Sequence, residues 1–96
     1  MVVSVAGEVD LSTSPPLRAA LDQAIALGPN VVVDLTGVTF LDSTGLGDLV
    51  RAREAALALG GQLQLVLTQA RIRRVLQITG LDTVFSIHES LAAATA

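Results

Sequence analysis

At 96 residues and 51% hydrophobic content, the chain can build one small core and has little margin beyond it. Its net charge is −3, its six basic residues are all arginine, and it has no Trp or Tyr. With no broad basic stripe and no aromatic stacking platform, nucleic acid is a poor partner. The absence of cysteine excludes disulfides, thiolate metal sites and a cysteine nucleophile.

Met1–Ala6 is apolar and β-branched and predicts a first strand ending at Gly7, with Gly7-Glu8-Val9-Asp10 turning away from it. Ser14-Pro15 has the form of a helix start, an N-cap followed by proline. Leu17, Leu21, Ala24 and Ile25 make one apolar stripe, and Gly28-Pro29 stops the helix. Val31–Leu35 has the continuous apolar character of a buried strand. Beyond the loop at Thr36–Thr44, Leu46, Leu49, Val50 and Leu57 recur at helical spacing until Gly60-Gly61. This pattern turns Asp48, Arg51 and Glu54 outward and lays the stem of Arg53 along the apolar stripe.

Leu63–Leu67 predicts a third strand. A helix follows from Thr68 or Gln69 to about Ile78, capped by Thr79-Gly80-Leu81. Ile72, Val75, Leu76 and Ile78 would face the core. Arg71, Arg73 and Arg74 would then form a solvated face or, in the sharper reading, a patch for a phosphate or an acidic partner. Thr83–Ile87 predicts a short fourth strand and Ser90–Ala94 a terminal helix.

Strand and helix alternate four times, with no linker or repeat. The expectation is therefore one α/β domain over residues 1–96, with a mostly parallel four-stranded sheet and about four helices. Loops leaving the carboxyl ends of parallel strands share one edge of the sheet. Glu8, Asp10, Asp42, Ser43 and Thr44 should accordingly form one surface. No apolar run reaches about 18 residues, so no membrane span is expected. Met1–Ser4 lacks the features of a secretory leader, and a cytoplasmic location follows by default.

Enzymatic readings find little support. Ser43 as a nucleophile needs a base, and the only histidine, His88, follows the weakest strand and reads as a partly exposed surface residue. No Gly-x-Ser-x-Gly elbow surrounds Ser43, and without lysine there is no Walker-type phosphate loop. Asp10, Asp34 and Asp42 are hard oxygen donors, but too scattered to define a magnesium site. No catalytic residue, metal or cofactor is expected. Two readings of Asp42-Ser43-Thr44 remain: a plain N-cap, or a kinase acceptor at a helix start, where a phosphate adds about −1.5 to −2 charges.

Gly7-Glu8-Val9-Asp10, Asp42-Ser43-Thr44-Gly45-Leu46-Gly47, Gly60-Gly61 and Ile78-Thr79-Gly80-Leu81 together resemble the anti-sigma factor antagonist family, the small STAS domains. The resemblance runs in order along nearly the whole chain. It implies a binding module that sequesters an anti-sigma factor and so releases a sigma factor. The anti-sigma factor is itself a serine kinase; it phosphorylates the serine after the aspartate and dissociates, and a phosphatase resets the switch. Carried over, the acceptor is Ser43, with Thr44 the second candidate. The docking face would comprise Glu8, Asp10, Asp42, Ser43, Thr44, Gly45, Leu46, Gly47, Asp48 and Arg51, with no role for nucleic acid or a membrane.

The resemblance also implies one more strand ahead of Gly7-Glu8-Val9-Asp10, which this sequence lacks. Asp48 stands where an apolar residue is usual, Arg51 where glycine is frequent and Arg53 where an aromatic is common. All three bear on which partner fits. The alternative function is a STAS scaffold in a signalling assembly, or in a lipid or anion transport complex, without a phospho-switch.

Overall fold

Val31, Val33 and Leu35 point to one side of a strand and Val32 to the other, and all four are buried, so this strand needs cover on both faces. The computed structural model describes residues 1–95 and supplies that cover. In order, the elements are β1 (Val2–Val9), α1 (Ser14–Leu27), β2 (Asn30–Leu41), α2 (Ser43–Ala58), β3 (Gln62–Val66), α3 (Ala70–Ile78), β4 (Ser86–His88) and α4 (Leu91–Thr95). The four strands pair in parallel in the order β1-β2-β3-β4, so β1 and β4 form the edges among the described residues.

The main core lies on one face of the sheet. Val31, Val33, Leu35, Leu63, Leu65 and Leu67 meet Leu17, Leu21 and Ile25 of α1, Leu46, Leu49, Ala52 and Ala56 of α2, and Ile72 and Leu76 of α3. On the other face, Ala94 of α4 packs with Val32 and Val66 in a small second cluster. The expected four-strand α/β domain is the one observed. Short continuous apolar runs for the strands and helical periodicity for the helices made it legible.

Several boundaries differ from the sequence expectation, each for a physical reason. β1 does not end at Gly7. That residue takes a left-handed φ of 80°, and pairing continues through Glu8↔Phe40 and Val9↔Leu41. β2 does not stop at Leu35 but runs to Leu41, with one extra residue in each of two register shifts against β1. These bulges let Val38 and Leu41 both turn inward at a spacing of three. The Gln69 side-chain amide donates to the carbonyls of Leu35 (2.8 Å), Thr36 (3.1 Å) and Val38 (2.6 Å), satisfying backbone that the bulge leaves unpaired.

Leu57 and Ile78 are exposed rather than inward. The buried rows are Ala52–Ala56 and Ile72–Leu76 at i,i+4, which puts Leu57 and Ile78 well round the helix from them. β4 starts later than predicted because Leu81–Thr83 forms a 3-10 turn after Gly80, and the N–H groups of Val84 and Phe85 donate to Leu81 O. Asp48, expected outward, is buried at 6% exposure. Ser14 is not the N-cap: it lies inside α1, and its hydroxyl turns inward to Asp48.

Candidate functional site

Two chain crossings build the site at the carboxyl edge of the sheet. The Asp42 N–H donates to Val9 O at 3.1 Å, joining the end of β2 to the end of β1. Glu8, Asp10, Asp42, Ser43 and Thr44 therefore come to one edge, as the parallel topology predicts.

After β1 the chain is held by its own side chains. Asp10 Oδ1 accepts from the Ser12 hydroxyl (2.7 Å), Ser12 N–H (3.0 Å) and Thr13 N–H (3.2 Å). The Ser12 hydroxyl is the main cause of an Asp10 carboxyl held below its ordinary value; desolvation opposes it, and the Thr13 and Ser12 amides add to the lowering. Thr13 in turn accepts from Asp10 N–H at 2.9 Å. The turn is thus ordered locally, and its acid is kept ionised.

After β2, Asp42 is the N-cap of α2. Its Oδ1 accepts from Thr44 N–H (2.9 Å) and Gly45 N–H (3.1 Å), while Leu46 N–H donates to its main-chain oxygen. The cap is this carboxylate rather than a hydroxyl of Ser43 or Thr44. Ser43 is left as the first helical residue, exposed to solvent. Two of the orphan amides that would attract a phosphate into the helix end, those of Thr44 and Gly45, are engaged by a negative group. A phosphate on Ser43 would therefore be pushed outward, beside Asp42.

The candidate docking residues divide by burial. Ser43, Gly47 and Arg51, at successive i,i+4 positions, form one exposed stripe on α2, with Glu8 exposed nearby at the sheet edge. Gly45 and Leu46 are buried: a Cβ on Gly45 would lie 2.6 Å from a Val9 methyl and 2.7 Å from a Leu41 methyl. Asp48 is buried too, with Oδ2 accepting from Ser14 Oγ at 2.6 Å. Its other oxygen lies 3.9 Å from Arg18 Nε and 3.6 Å from Arg51 Nη2.

Sequence reasoning missed two residues of this edge. Leu11 (74% exposed) follows Asp10, and Phe40 (47%) pairs with Glu8 and precedes Leu41-Asp42. Phe40 is one of only two aromatic residues, which was the one available signal. His88 lies on β4, at the opposite edge from β1, and is not part of this surface. Among the described residues no three His, Asp or Glu side chains come together as a metal site, and no helix is long and apolar enough to cross a membrane.

Comparison with known proteins follows the same outline. The family model for the STAS domain matches residues 1–94. The chain is 35% identical to the anti-sigma-B factor antagonist of Bacillus subtilis over 85 residues, which span 88% of this chain and 78% of that protein. It is 32% identical to the anti-sigma-F factor antagonist RsfB of Mycobacterium tuberculosis over 91 residues, 94% of this chain and 74% of that one. Among solved structures, an anti-sigma factor antagonist from Mycobacterium paratuberculosis superposes with a TM-score of 0.85 at 34% identity, over 98% of this chain and 80% of its own. SpoIIAA in its unphosphorylated form shares the fold alone, with a TM-score of 0.79 at 24% identity over 96% of this chain and 82% of that chain. From the match along residues 1–94 and from these relatives, the chain belongs to the STAS domain family.

Proposed function

We propose that this chain is an anti-sigma factor antagonist: it binds an anti-sigma factor through the carboxyl edge of its sheet and is switched off by phosphorylation of Ser43. The observation that carries this reading is the geometry of Ser43, exposed at the first position of α2 beside an Asp42 carboxylate already bonded to the helix amides. A hydroxyl so placed is open to a kinase. The product dianion meets a helix end whose Thr44 and Gly45 amides are already taken by Asp42, and it projects into whatever docks there. A desolvated dianion at an interface is costly unless it is paired, so the complex dissociates without refolding. The names of the Bacillus and Mycobacterium relatives support the choice of partner.

In this reading the anti-sigma factor is itself the serine kinase, and a phosphatase restores Ser43. The protein acts in the cytoplasm as a binding module rather than an enzyme. Ser43, Thr44, Gly47, Glu8 and Asp10 form the docking face, Phe40 and Leu11 supply its apolar contact, and Asp42 positions the acceptor. Intact mass after incubation with ATP-magnesium and each purified anti-sigma factor of the source organism tests it. One phosphate should be gained, and none in Ser43→Ala. Ser43→Ala should bind the anti-sigma factor like the unmodified chain, and Ser43→Asp should bind at least about tenfold more weakly, the loss expected from a like-charge or unpaired interfacial charge. Equal binding of Ser43→Asp would refute the electrostatic block.

A further inference from the structure

Arg18 on α1 and Arg51 on α2 converge on one buried carboxylate. Asp48 Oδ2 is taken by the Ser14 hydroxyl at 2.6 Å, which sets the carboxylate plane. Oδ1 is left to face both guanidiniums, at 3.9 and 3.6 Å. The Asp48 side chain is 7% exposed, whereas those of Arg18 and Arg51 are 50% and 47% exposed. Each guanidinium carries five N–H donors, and a single long contact to Oδ1 leaves most of them free. The group bears a net charge of +1 in a chain whose formal charge is −3. Glu8, Asp10 and Asp42 lie at the sheet edge, whereas Arg18 on α1 and Arg51 on α2 meet over Asp48.

The arginine pair continues the exposed stripe that begins at the acceptor. Ser43, Gly47 and Arg51 lie at i,i+4 steps, which places Arg51 about 12 Å along the helix axis from Ser43. Gly47, between them, has open space where its Cβ would be, so a docked chain can follow the helix from one to the other. That backbone separation lies within the footprint of any protein that covers Ser43.

We propose that Arg18 and Arg51, aligned by Asp48, form a cationic subsite that receives an aspartate or glutamate side chain of the anti-sigma factor and helps to select the cognate one. Planar guanidiniums match a carboxylate in a two-pronged way that lysine does not. The Ser14–Asp48 bond keeps the two arginines side by side at a fixed point of the α1–α2 seam, despite their mutual repulsion. The subsite rests on the antagonist reading above and names the chemistry of its partner.

The test is binding of purified anti-sigma factors to the unmodified chain, Arg18→Gln/Arg51→Gln and Arg18→Lys/Arg51→Lys. Binding is measured by calorimetry and stopped flow, with and without nucleotide, at low and high salt, with thermal midpoints recorded alongside. At low salt the glutamine variant should bind roughly tenfold more weakly, chiefly through a slower on-rate, and its affinity should depend less on salt. The lysine variant should recover part of the loss at low salt only. A glutamine variant that binds as well as the unmodified chain overturns the subsite alone. So does a loss with unchanged salt dependence that lysine does not relieve, which marks a structural role, or a loss seen only with nucleotide present, which marks a phosphate ligand. If the unmodified chain binds none of the anti-sigma factors, the antagonist reading falls and takes the subsite with it.

Discussion

Two glycines two residues apart on α2, on opposite faces of the helix, have opposite reasons to be glycine. Gly45 faces inward, and a Cβ there would press on methyl groups of Val9 and Leu41, both buried in the core. Gly45→Ala should therefore destabilise the protein by about 1–3 kcal/mol, the cost of overpacking a filled site. Gly47 faces solvent, with nothing within 4 Å of its Cβ position. Gly47→Ala should raise stability by about 0.5–1 kcal/mol, because alanine is the better helix residue. Urea denaturation of the two variants checks both signs. On the docking stripe the same methyl at residue 47 should weaken anti-sigma factor binding. A stabilised Gly47→Ala with undiminished affinity would remove that position from the interface.

Among the elements, the Asp10 turn and the Asp42 cap each use a single carboxylate to order backbone amides. For Asp10 the consequence is a pH dependence with a definite sign. Its carboxyl, chiefly through the Ser12 hydroxyl, titrates below the ordinary 3.8 in the folded protein. A carboxylate whose folded pKa is depressed contributes stability in full above its unfolded value, and loses it as pH falls through the folded value. Asp10→Asn keeps an acceptor oxygen and loses only the charge. The thermal midpoint of the unmodified chain should exceed that of Asp10→Asn near neutral pH, and the gap should close once the pH falls below the folded value. A gap that stays constant down to that acidity would show that charge plays no part in the turn. At the other crossing, the bulged stretch of β2 is held from α3 by Gln69, so the loop before the acceptor is anchored by a residue about 30 positions away in the chain.

For the whole molecule, one rigid sheet would carry the proposed switch. Val33, Leu35, Leu49, Leu65 and Leu76 are at most 1% exposed beneath the docking edge, and interiors packed to this density do not deform gradually. On the proposed reading, phosphorylation of Ser43 would therefore change the charge of the face and leave the fold in place. In the phosphorylated protein, amide chemical-shift changes should cluster at the ends of β1 and β2 and in the first turn of α2, with α3, β4 and α4 undisturbed. Shifts spread across the sheet would point to a conformational switch instead.

The sequence alone determined the alternation of strands and helices, the parallel sheet, the main apolar stripes and the shared edge of Glu8, Asp10, Asp42 and Ser43. These follow from local periodicity and from a general rule of parallel topology, both carried by neighbouring residues. Tertiary structure alone decided the rest. Gly7 reads as the end of a strand and Thr36–Thr44 as a loop, yet Gly7 and residues 36–41 lie within bulged strands, and in β2 Gln69 bonds the carbonyls of Leu35, Thr36 and Val38 that the bulge leaves unpaired. Asp48 reads as a surface acid and is buried, because Ser14, 34 residues earlier, satisfies it and two arginines balance its charge. Burial of a polar group depends on partners that can come from anywhere in the chain, and helical spacing carries no information about them.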